Sequence, residues 1–159
     1  MEITKPNAFL TQISLYLKNN NPESAYTLSK DFVGKFPAEM SSHYLLALSA
    51  LRSGRLEEAK LEGRKAFNMA QSTEDMITCA LVSGMAYYEL KEYAKGYEIL
   101  SLMERKGKTA ELEKMLVIFS LALNSPNDAA RHEEELFRLN AAAARNLLAR
   151  AVDSLSRSG

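Results

Sequence analysis

The stretch ITCALVSGMAYYELKEYAKGY, residues 77–97, decides the fold. Leu81, Met85 and Tyr88 recur at spacings of four and three residues, which puts them on one face of a helix. Leu90-Lys91-Glu92 is short enough to be a tight turn between helices, and Tyr93 opens a second helical segment. Gly84 and Gly96 fall inside these helices, where glycine costs about 1 kcal/mol relative to alanine. Close approach of two helices offsets such a cost, so a helix pair packed at its glycines is expected.

The same pattern extends in both directions. Leu10, Ile13 and Leu17 share one helical face, and Leu45, Leu48, Ala59, Ala66 and Phe67 continue the period. No Asn-Gly or Asp-Gly turn and no sustained alternation of β-branched residues suggests a strand. The breaks carry helix-boundary chemistry. Pro22 and Pro126 suit the first helical position, and Arg52-Ser-Gly54-Arg55 reads as a turn. Ser72-Thr-Glu-Asp75 and Ser125-Pro-Asn-Asp128 resemble capping boxes. Nine helices are predicted, at residues 6–19, 22–35, 40–53, 56–70, 74–90, 93–106, 110–124, 127–138 and 141–157.

A small residue recurs in the second helix of each pair: Ala25, Ala59, Gly96, then Ala129 or Ala130. The steps are 34, 37 and 33 or 34 residues. With helix–turn–helix content, this period resembles the tetratricopeptide repeat family. That family favours small residues at places 8, 20 and 27, an aromatic at place 11 and proline near place 32. From Pro6, the matches are Tyr16, Ala25 and Pro37; from Met40, they are Ala47, Ala59 and Ala66. From Ile77, Gly84, Tyr87 and Gly96 match best, and three extra residues near 71–76 are expected in a loop. Phe32 and Met103 depart from the small residue at place 27, and the fourth register stays open between Ala129 and Ala130.

The resemblance implies an all-α right-handed superhelix of antiparallel helix pairs, a tetratricopeptide-like α-solenoid. Residues 1–159 read as one such domain, with repeats at approximately 6–39, 40–73, 77–110 and 111–139. A capping helix is expected at 141–157, with Ala144, Leu147, Leu148, Ala151 and Leu155 forming its apolar stripe.

Composition narrows the function. Twenty basic residues balance twenty acidic ones, so no basic face for nucleic acid is expected. No apolar run reaches membrane-span length and no secretory signal is visible, which favours a cytoplasmic location. The lone Cys79 fits a reducing compartment and reads as a packing thiol. His43 and His132 lie outside any metal-ligand spacing, and no phosphate loop or activated carboxylate pair is apparent. No catalytic, cofactor-binding or metal residue is therefore expected, and the chain does not read as an enzyme.

In this family, function lies on the concave face made by the first helices. The resemblance places Leu10, Ser14, Leu17, Tyr44, Leu45, Leu48, Leu51, Leu81, Val82, Met85, Tyr88 and Met115 in that groove. The cationic clamp by which some members grip a chaperone's C-terminal carboxylate is absent, because Leu10, Ser14, Leu45, Thr78 and Val82 occupy its places. An apolar groove remains. The expected role is a protein-binding adaptor, possessing the size and repeat count of small secretion chaperones, that takes an apolar or amphipathic segment of a partner. The alternative is a structural homodimer, or a scaffold fragment whose groove serves self-association.

Overall fold

A computed structural model describes residues 2–158, except the side chains at 143–144, 146–148, 150–151, 154–155 and 158. The described residues form eight helices and no strand. They are α1 (Pro6–Lys18), α2 (Pro22–Lys35), α3 (Met40–Arg52), α4 (Leu56–Met69), α5 (Thr73–Glu89), α6 (Tyr93–Glu104), α7 (Ala110–Ala122) and α8 (Pro126–Ser158). Each packs on its neighbours in sequence, and α1, α3, α5 and α7 also touch in succession. The molecule is thus an all-α stack of helix pairs with the first helices in one row.

One turn, used four times, sets the pairs. Asn20, Gly54, Lys91 and Asn124 adopt left-handed backbone, with φ of 56°, 81°, 61° and 57°. After α1, Asn20 N–H bonds to Leu17 O and Asn21 N–H to Tyr16 O. The same two bonds recur as Gly54 to Leu51 and Arg55 to Ala50, Lys91 to Tyr88 and Glu92 to Tyr87, and Asn124 to Leu121 and Ser125 to Ser120. This is the Schellman arrangement, which satisfies the carbonyls left free at a helix end. Its period fixes the fourth register: Asn124 stands to Ala129 as Asn20 stands to Ala25, and Ala129 is buried while Ala130 is exposed.

Close approach falls at the small residues. Ala25, Ala59 and Ala66 are fully buried. A Cβ on Gly96 would lie 2.5 Å from the Phe119 ring, and one on Gly63 would overlap the Ser83 hydroxyl. Two aromatic cores anchor the ends of the stack. Phe9 and Phe32 stack at 4.8 Å near the N-terminus, and Tyr88, Tyr93 and Phe119 meet edge-on or tilted further along.

Two sequence expectations need correction. The helices expected at 127–138 and 141–157 are one continuous helix, α8. Nothing between Arg138 and Ala141 breaks it: Asn140 costs only a few tenths of a kcal/mol, and the Ala141–Ala144 run favours helix strongly. Side chains of the proposed apolar stripe lie outside the described residues. The extra residues near 71–76 do not lengthen a loop; they add a turn to the start of α5, which has 17 residues where α1, α3 and α7 have 13. Ser72 caps that added turn, accepting from Asp75 N–H at 3.1 Å.

Candidate functional site

The row of first helices positions the residues singled out from the sequence, but unequally. Leu17, Leu45 and Val82 are buried and offer little surface, Leu17 and Leu45 as members of the N-terminal core. Leu10, Tyr44 and Leu48 are half-buried against the N-terminal aromatic core, and Leu81 and Met115 against the C-terminal one. Leu51 leans on the close joint of Ala50, Ala59 and Ala86. Ser14 is exposed, and so are Met85 and Tyr88, at 48% and 36%.

The fixed register extends this face. Ile118 and Leu121 on α7 occupy the places that Met85 and Tyr88 hold on α5, and they are 39% and 60% exposed. Four large apolar side chains therefore stand open on two helices that pack side by side. Tyr88 is held in place by ring contacts to Tyr93 at 5.4 Å and Phe119 at 5.7 Å. Ile118 and Leu121 were missed in the sequence because the fourth register was open; the signal that would have closed it was Asn124, in the same turn position as Asn20. A cleft lies elsewhere, an open volume of about 1000 Å³ between α1 and α2 near residues 2–5, and none of the twelve groove residues lines it.

The histidines are more than surface groups. His43 is buried, with Nδ1 2.6 Å from Glu62 Oε2 while Nε2–H donates to the Pro37 carbonyl at 2.8 Å. Lys65 donates to the other Glu62 oxygen at 2.9 Å, so this pair is closed. His132 is fully buried, with Nδ1–H directed to Glu113 Oε2 at 2.8 Å, and Nδ1 lies 3.0 Å from Glu104 Oε2. Its Nε2 accepts from the Tyr97 hydroxyl at 3.2 Å and from Arg131 at 3.3 Å.

Burial, followed by the adjacent Glu104, pushes the Glu113 carboxyl up to about 8. For Glu104, burial acts upward too, but the adjacent Glu113 carboxyl, followed by His132 and Arg131, outweighs it and holds the group below its ordinary value. Burial is the largest influence on His132 and lowers it, against the pull of the nearby Glu104. Glu104, Glu113 and His132 each bring a ligand-type atom within 4.8 Å of the others. Sequence spacing concealed this cluster, since its members come from α6, α7 and α8.

Cys79 is buried, and burial, followed by the nearby Asp75 charge, pushes its thiol up to about 11. Among the described residues no helix is long and apolar enough to cross a membrane. Compared with known proteins, the chain matches no family model and no curated protein.

Proposed function

We propose that the chain is a tetratricopeptide-type binding module, a cytoplasmic adaptor or small chaperone without catalytic activity. It holds an apolar or amphipathic segment of a partner protein against the first helices of its third and fourth pairs. The observation that carries this reading is the exposure of Met85, Tyr88, Ile118 and Leu121 at equivalent places of adjacent helices. Side chains of this kind gain about 1.5–3 kcal/mol each when fully buried. A partner helix with apolar anchors one turn apart matches such a row, because its ridges can lie between α5 and α7.

The test begins with identification of the chain's co-purifying protein and synthesis of its most amphipathic segment. Titration of that segment should saturate at one per chain, and Met85→Glu should weaken it at least tenfold. Equal binding by parent and variant would remove this face from the function.

Self-association is the second reading. Phe137 and Val152 on α8 are 75% and 56% exposed, which adds apolar surface at the same end of the chain. Sedimentation over a hundredfold concentration range separates the two readings: a monomer throughout excludes the homodimer.

A further inference from the structure

The buried cluster of Glu104, Glu113 and His132 has an internal control. Glu113 and His132 face each other from the same places of the fourth pair that His43 and Glu62 occupy in the second, 19 residues apart in both cases. In the second pair one carboxylate meets one imidazole, and Lys65 closes the remaining oxygen. In the fourth, Glu104 enters as a third member from the end of α6. A single Nδ1–H then faces two carboxylates. Glu113 Oε1 and Glu104 Oε2 are left buried without a hydrogen-bond partner, although the Glu113 side chain is fully buried and that of Glu104 only 12% exposed. Buried carboxyl oxygens without a partner are costly, and a cation shared by the two groups would satisfy both.

Neighbouring cations do not supply it. Arg131 lies at the rim, 53% exposed, and reaches only the outer Glu104 oxygen at 3.4 Å. Lys108 is engaged by Glu135 at 3.3 Å. We propose that this cluster is a binding site for a divalent transition-metal ion of the zinc class, which clasps α6, α7 and α8 together.

One imidazole nitrogen and two carboxylate oxygens form a donor set for zinc-like ions; magnesium and calcium favour all-oxygen sets with more ligands. The present separations of 2.8 and 3.0 Å around Nδ1 need to open only slightly, since bonds of about 2.0–2.1 Å in a tetrahedron set ligands roughly 3.3 Å apart. On binding, Nδ1 coordinates the ion and the ring proton moves to Nε2, where the Tyr97 hydroxyl can accept it. Arg131, on the surface, swings away from Nε2. Water at the Glu104 edge completes the coordination.

The experiment uses the tag-free full chain, stripped with chelator, titrated with zinc chloride by calorimetry and followed by thermal melting. One zinc per chain and a melting temperature raised by several degrees are expected, with no comparable response to magnesium or calcium. Glu113→Gln should stay folded without metal, because the amide can donate to Glu104, yet bind zinc at least tenfold more weakly. Glu104→Gln should do the same, whereas Cys79→Ser should bind as the parent does. Absence of stoichiometric zinc binding, or undiminished binding by both Gln variants, would overturn the proposal and leave a carboxyl pair sharing a proton.

Discussion

His132 meets Glu113 across 19 residues of chain, the separation that also joins His43 to Glu62, but with acid and base exchanged between the two helices. One backbone frame therefore accepts the pair in either orientation. Replacing His43 with Glu alone would set two carboxylates against each other in the interior, which should cost about 3–5 kcal/mol, the range for a broken buried pair. Adding Glu62→His recreates the arrangement of the fourth pair and should recover more than half of the loss. Urea denaturation of the two variants checks this; a double variant no more stable than the single one would show that the second pair's surroundings enforce its orientation.

The recurring left-handed turn supports a stabilising substitution. Lys91 holds φ of 61°, a conformation that costs a residue with a Cβ about 1–2 kcal/mol, while Gly54 occupies the equivalent position freely. Lys91→Gly should stabilise the chain by about 0.5–1 kcal/mol, and Gly54→Ala should destabilise it by about 1 kcal/mol. Equilibrium unfolding decides both signs.

These turns also show what the sequence could and could not convey. Seven helices lie within two residues of their predicted bounds, because proline starts, the glycine turn and a clean helical period speak locally. The left-handed turn was visible at Gly54 but hidden at Lys91, whose residue type gives no hint of positive φ. Burial at Leu17, Leu45 and Val82 depends on how neighbouring helices rotate, which no single-helix pattern contains. The Glu104–Glu113–His132 cluster was invisible for a stronger reason: its members meet only after three helices have packed.

Glycines at two positions predict opposite outcomes. Gly96→Ala places a methyl 2.5 Å from the buried Phe119 ring and should cost about 1–3 kcal/mol. Gly34, inside α2, has nothing within 4 Å of its would-be Cβ, so Gly34→Ala should gain up to about 1 kcal/mol through helix propensity. If both variants melt together, packing at the Gly96 joint is looser than the distances indicate.

Cys79 predicts a pH response. Its folded thiol is raised from 9.0 to about 11, so the folded state resists ionisation more than the unfolded chain does. The associated stability is fully present below about pH 9 and declines as pH rises toward 11. Cys79→Ser should flatten that part of the pH–stability curve. In the parent, an aromatic disulfide reagent at pH 8 should label the thiol at least tenfold more slowly than in urea-unfolded chain.

The exposed face yields the prediction that bears on function. Met85 and Leu121 are open to water, so a charge placed there remains hydrated in the free protein, and Met85→Glu or Leu121→Glu should melt close to the parent temperature. A bound apolar segment would cover either site, leaving the new carboxylate desolvated beneath it, which costs more than lost contact alone. Binding should fall at least tenfold in each variant, or about 1.4 kcal/mol or more. Leu48 differs although it shares a repeat place with Met85: it packs on the N-terminal core, so Leu48→Glu should lower stability as well. Glu98, exposed on α6, provides the control, and Glu98→Lys should leave binding and melting unchanged. Melting curves and titrations with the identified partner segment read all four variants. If Met85→Glu and Leu121→Glu stay folded and bind normally, the partner docks on another face; if they unfold, these side chains serve the core of the third and fourth pairs.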